Sequence, residues 1–145
     1  MSMPSHRHVE NLIGRYAELV DNGDFDAVGK LFADATFAGS GTAYTGSDAV
    51  TGMLHAQIQV YPDGTPRTRH VTTNLIVEVD EEGGTAEARS SVTILQATAG
   101  LPLQPIAVGR YEDEFRRSGD AWHFTGRQVD FQLFGDVSHH LRSGS

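Results

Sequence analysis

The chain contains no cysteine, which excludes disulfides, thiolate nucleophiles and cysteine-ligated metals. Positive charge is also scarce. Eleven Lys and Arg stand against nineteen Asp and Glu, for a formal charge of −8 with the seven histidines neutral, and no basic stripe offsets it. Duplex nucleic acid is held by clustered Lys and Arg, so nucleic acid is not an expected partner. No apolar run approaches the ~20 residues of a membrane helix. The first ten residues lack the basic start and apolar segment of a secretory signal. The expectations are no membrane association and a cytoplasmic location. His6-x-His8 and the His139-His140 pair have no third ligand at a defined spacing, so no metal site is expected. Gly39-Ser40-Gly41 is not followed by the helix start and lysine of a phosphate loop. A Gly-x-Ser-x-Gly nucleophile elbow is missing as well. No cofactor is implied.

What remains is an ordinary globular composition, 39% hydrophobic and 21% charged, in 145 residues. That length predicts one domain over residues 1–135, with 136–145 as a frayed polar tail. Val9, Leu12, Ile13, Tyr16, Leu19 and Val20 share one helical face, and the helix stops at Asp21 to Gly23. Asp24 caps a short second helix carrying Phe25, Val28, Leu31 and Phe32. After a brief strand over 35–38, Ser47 opens a third helix that runs to Tyr61 and is stopped by Pro62-Asp63-Gly64. The period then changes to two. Strands are predicted over 68–80, 85–97, 106–117 and 121–134, with a proline-containing loop at 98–105. Helices followed by a meander predict an α+β domain with helices on one face of a curved antiparallel sheet. On strict alternation, His70 shares a face with Thr72 and Asn74, opposite Val71, Leu75 and Val77, which puts it in water or in a polar cavity. The same rule sets Trp122 and Phe124 opposite Arg127, Val129 and Phe131, and outward with Val92 and Ile94.

The acid/base inventory is a tyrosine, a carboxylate and an imidazole: Tyr16, Asp21 and His70. Asp21 lies about 140° around an ideal helix from Tyr16, so the two share a face only if the helix ends between them. The plainer reading makes Asp21 a solvated turn residue, Tyr16 a core tyrosine and Arg127 a surface ion-pair partner.

Leu12-Ile13-Gly14-Arg15-Tyr16, Val20-Asp21-Asn22-Gly23-Asp24-Phe25-Asp26, Leu31-Phe32-Ala33-Asp34-Ala35-Thr36-Phe37, Tyr44-Thr45-Gly46, Arg69-His70-Val71-Thr72-Thr73-Asn74 and Gly109-Arg110-Tyr111, with Trp122 and Arg127, together resemble the SnoaL-like branch of the nuclear-transport-factor-2-like superfamily. Its members include scytalone dehydratase, bile-acid 7α-dehydratase, ketosteroid isomerase, polyketide cyclases and small subunits of ring-hydroxylating dioxygenases. The resemblance implies a cone-shaped α+β barrel, three N-terminal helices on a curved sheet enclosing a pocket, and a homodimer formed through the sheet. It further implies a cofactor-independent dehydratase, isomerase or cyclase acting on a small hydrophobic molecule of polycyclic, steroid-like or polyketide-like type. In that role His70 is the general base, Asp21 holds its tautomer, Tyr16 hydrogen-bonds the developing enolate and Arg127 is a cationic partner on the last strand. The dehydratases carry a further His or Asp on the middle strand, where this chain has Ser90, Ser91 and Thr93. The isomerase aspartate position falls at Ala38-Gly39-Ser40. The alternative is a non-catalytic ligand-binding or accessory domain, including a dioxygenase small-subunit-like role.

Overall fold

The structure, a computed structural model, describes residues 2–142. In chain order the elements are α1 (Ser5–Asp21), α2 (Phe25–Leu31), β1 (Thr36–Gly39), β2 (Thr42–Thr45), α3 (Ser47–Gln57), β3 (Thr68–Asp80), β4 (Thr85–Thr98), β5 (Leu101–Ser118) and β6 (Ala121–Phe134). The six strands form one sheet in the order β2-β1-β6-β5-β4-β3. It is mixed, because the β1–β6 pairing is parallel and every other pairing antiparallel. It does not close on itself: β2 and β3 are its two edges. The helices pack on one face, giving the α+β cone expected from the sequence.

α1 buries the stripe Val9, Ile13, Tyr16 and Val20, spaced as one helical face requires. It ends at Asn22-Gly23. Gly23 adopts φ +75°, and a Cβ there would meet the Gly64 carbonyl oxygen at 2.1 Å, so only glycine fits this turn against the 61–65 loop. Asp24 caps α2 by accepting from the Ala27 amide at 3.2 Å. α2 crosses α3 at Gly29, where a Cβ would collide with Thr51 Oγ1 at 1.9 Å. Tyr16, Phe32, Phe37, Phe115 and Phe124 then form a run of stacked and edge-on rings between helices and sheet.

Four expectations change. α3 ends at Gln57, four residues before Tyr61, because Ile58 leaves the helix to pair with Leu141 in an antiparallel bridge. β5 begins at Leu101 and includes both prolines. Over 101–105 it has a ladder partner only in β4, which leaves room for residues without an N–H. The other two changes come from bulges, each of which adds a residue and inverts the alternation beyond it. In β3 the register slips between Thr73 and Ile76 around Asn74, at φ +56°. His70 and Thr72 thereby face the helices together with Leu75, Val77 and Val79, while Val71 and Ile76 are exposed. In β6 the slip at Thr125 puts Trp122 and Phe124 on the same inner face as Arg127 and Val129. Trp122, Phe124, Val92 and Ile94 are core residues, and an outward dimer surface cannot be built from them.

The C-terminal stretch also departs from a frayed tail over its described part. Residues 136–142 lie docked across the end of α3, the stretch after it and the end of β4, with 143–145 outside the described residues. Gln59 binds them three times: its amide to the His140 carbonyl at 2.8 Å, and its side chain to the carbonyls of Ser138 and Leu141 at 2.8 and 2.6 Å. Tyr61 Oη donates to the His139 carbonyl, which also accepts from Gln96 Nε2 at 3.0 Å. The Arg142 amide donates to the Gln57 carbonyl at 2.9 Å.

If the left-handed bulge residue sets the parity of β3, its chemistry is measurable. Asn74→Val should lower the stability in urea by about 1–2 kcal/mol, since a β-branched residue does not tolerate positive φ, whereas Asn74→Gly should not destabilise. Equal midpoints for the two variants would contradict the bulge geometry.

Candidate functional site

Asp21 is the last residue of α1, and the end of the helix turns its carboxylate toward the start of β3. It is 6% exposed. Oδ1 accepts from the Thr68 hydroxyl at 2.8 Å and from His70 Nδ1 at 2.6 Å, and Oδ2 accepts from the His70 amide at 2.8 Å. A carboxylate can only accept, so Nδ1 carries a hydrogen, and in the neutral ring Nε2 then carries the lone pair. Nε2 has no partner among the described residues, leaving a basic nitrogen on an imidazole held at two points by one carboxylate. The His70 side chain is 6% exposed.

A second buried group lies farther along the sheet. Asp113 and Arg127 are directly paired across β5 and β6, and both side chains are fully buried. Nε and Nη2 of Arg127 donate to the two Asp113 oxygens at 2.7 and 2.9 Å, a bidentate fork. Burial alone would lower the guanidinium pKa. The Asp113 carboxylate and its hydrogen bonds reverse this and raise it above its ordinary value. The guanidinium lies over the rings of Tyr111 at 3.6 Å and Tyr16 at 4.3 Å, which flank it. Burial pushes both phenols above their ordinary pKa of 10, Tyr111 well above it, so both keep their O–H at neutral pH. Arg127 Nη1 is buried without a partner among the described residues, as is Ser90 Oγ on the middle strand.

The structure thus joins Asp21 to His70 and sets Tyr16 with Arg127. Tyr16 makes no hydrogen bond to His70 or Asp21, although the Asp21 charge acts on its hydroxyl. Arg127 is in the interior, with Asp113 as its partner, and does not form a surface pair. Ser91 and Thr93 lie on the opposite face of β4 from Ser90. A depression of about 520 Å³ opens on the sheet, lined by Glu78, Glu87, Arg89 and Glu112 and, from the buried pair, by Asp113 and Arg127. Neither Asp21 nor His70 lines it.

Sequence reasoning gave no site role to Thr68 or Asp113, quoted Tyr111 only within the Gly109-Arg110-Tyr111 motif, and weighed His140 only as a metal ligand beside His139. Asp113 had a signal: with Tyr111 and Phe115 it occupies the apolar parity of β5, between exposed Glu112 and Glu114. His140 had none. It is 7% exposed, its Nδ1 is buried without a partner among the described residues, and burial and the proximity of His70 lower its pKa from 6.5 to about 4.

Comparison with known proteins gives a consistent picture. The SnoaL-like domain family matches residues 1–128. A putative aromatic ring hydroxylase from Novosphingobium aromaticivorans is 26% identical over 95% of this chain and 99% of its own, with a TM-score of 0.71. A putative scytalone dehydratase from the same organism is 20% identical over 97% of this chain and 93% of its own, with a TM-score of 0.70. ActVI-ORFA from Streptomyces coelicolor is 19% identical over 90% of this chain and 97% of its own, also at 0.70. No curated protein matches by sequence.

Two outcomes are expected from this geometry. Asp113→Ala leaves a buried, unpaired guanidinium and should cost about 3–5 kcal/mol, much of it regained when Arg127 is also replaced by Met; urea unfolding of the single and double variants checks this. His140 also makes stability depend on pH. Between 6.5 and about 4 the unfolded chain binds a proton on His140 that the folded chain does not, so stability falls as pH falls through that window. At about 1.4 kcal/mol per unit, the loss from this group is roughly 3 kcal/mol once the pH is below the folded value. His140→Gln should flatten the slope between pH 7 and pH 4.5, and an unchanged slope would assign it to other groups.

Proposed function

Since the chain belongs to the SnoaL-like domain family, we propose that it is a cofactor-independent enzyme of dehydratase, isomerase or cyclase type, with His70 as the general base. The observation that supports this reading is the Asp21–His70 pair: Nδ1 bound at 2.6 Å, Nε2 without a partner, and the whole unit 6% exposed. A solvated histidine needs no such partner. A base that removes a proton next to a carbonyl needs its lone pair presented and its orientation fixed, and Asp21 does both. When Nε2 takes the proton, the C–H bond breaks, the N–H bond forms and the electron pair moves to the carbonyl oxygen. The Asp21 carboxylate then faces an imidazolium, which it stabilises.

Arg127 is proposed to act from the other end of the interior. Its unpartnered Nη1 is a charged donor for a ligand oxygen, and Tyr16 and Tyr111 bring phenolic O–H groups beside it. The molecule suited to these groups is small, largely hydrophobic and carries oxygens at two ends, as polycyclic ketones and phenols do. A second copy of the chain is proposed as its protein partner.

The non-catalytic accessory reading has one observation in its favour: the 520 Å³ depression is lined by neither Asp21 nor His70. Isolation of the chain bound to a larger oxygenase subunit would support it.

Deuterium exchange separates the two readings without knowledge of the full reaction. A panel of polycyclic ketones incubated with the protein in heavy water should gain deuterium next to the carbonyl, read by mass spectrometry. His70→Ala should reduce the rate by about 10²–10⁴-fold with the fold intact. No exchange above the buffer rate with any ketone, or full exchange by His70→Ala, would overturn the proposed base.

A further inference from the structure

We infer that His140 is a ligand-binding residue of this site, its imidazole hydrogen-bonding the substrate oxygen on which charge develops as His70 takes up a proton; this rests on the reading of His70 as the base. His140 belongs to the segment 136–142, which lies beyond residue 128, where the family match ends. That segment is not loosely placed. Backbone and side chain of Gln59, the Tyr61 hydroxyl and the Gln96 amide hold the carbonyls of Ser138, His139, His140 and Leu141, and the Ile58–Leu141 bridge closes it. With the main chain fixed this way, the ring of His140 is carried inward to 7% exposure, where the charges that act on it are those of His70 and Asp21.

An imidazole buried only to fill space would be expected to have its nitrogens satisfied, because an orphaned polar atom costs free energy. Nδ1 of His140 has no partner among the described residues, and neither does Oε1 of Gln96, whose amide nitrogen anchors the neighbouring His139 carbonyl. Two unpaired buried polar atoms on adjoining anchors, within reach of the His70 charge, are available to a polar ligand atom. Metal is the poorer candidate, since no three His, Asp or Glu side chains among the described residues converge to hold an ion.

The chemistry fits a hydrogen-bonding role. Burial and the neighbouring His70 keep His140 neutral at pH 7. A neutral imidazole offers one N–H and adds no positive charge beside the imidazolium that His70 becomes. The carbonyl oxygen that receives the electron pair from the broken C–H bond is the acceptor for that N–H. His140 thus brings in an imidazole, where the inner face of the middle strand offers the hydroxyl of Ser90.

The test uses 4-nitrophenol, a flat phenol whose visible absorbance reports its ionisation when bound. With wild-type protein labelled at the histidine ring nitrogens, saturation should shift the His140 ring resonance together with that of His70. His140→Ala should weaken binding about tenfold or more, and His140→Gln, which keeps a donor, should recover most of it. Backbone amide spectra of the variants show whether residues 136–142 are still docked. Undiminished binding by His140→Ala, an unmoved His140 ring resonance, or no binding of the phenol by the wild type would each overturn the inference. The exchange rates of wild type and His70→Ala, measured separately on ketones, decide whether His70 falls with it.

Discussion

The burial of one carboxylate organises the rest. Asp21 is removed from water at the end of α1, and an isolated ion there would cost several kcal/mol. All three of its hydrogen bonds come from two residues at the start of β3, Thr68 and His70. The helix end and the strand start are therefore joined by a group that cannot be satisfied by either alone. The turn at Gly23 touches the loop before β3, and the ring of His70 is fixed by the same carboxylate that fixes its backbone. Stability and the orientation of the His70 ring are consequences of one constraint.

How far the fold was legible depended on where a local pattern survives. The stripe Val9, Ile13, Tyr16 and Val20, the Asp24 cap and the four long strands were all readable, since each is written in adjacent residues. Side-chain direction was not readable past a bulge. A single added residue at Asn74 reverses which half of β3 faces inward, and another at Thr125 brings Trp122 onto the same face as Arg127. Alternation counts residues and carries no mark of where one is skipped. The parallel pairing of β1 with β6 was hidden for a different reason, because its partner residues lie about ninety positions downstream and a four-residue strand says nothing about direction.

The site divides along the same line. Asp21 and His70 were found as residue types suited to proton transfer, and their meeting depends on α1 ending at Asp21 itself. Tyr16 was placed beside them, yet the helical angle between positions 16 and 21 turns it toward Arg127. Asp113 was open to discovery as a carboxylate on an apolar parity. His140 was not, for its burial is created by Gln59, Tyr61 and Gln96, residues about 40–80 positions away, and a short polar stretch carries no trace of them.

The docking of residues 136–142 has a bearing on biosynthesis. β1 waits for a neighbour about ninety residues downstream, and the stretch after α3 waits for the final few residues of the chain. A ribosome delivers the polypeptide from its N-terminus, so α1, α2 and the small hairpin emerge long before the strands that cover them. During that interval Phe32, Phe37 and Tyr16 have no sheet to rest against, the situation in which nascent proteins recruit chaperones. A chain cut just after β6 would lack the stretch that Gln59, Tyr61 and Gln96 hold, and its interior would be open at one corner.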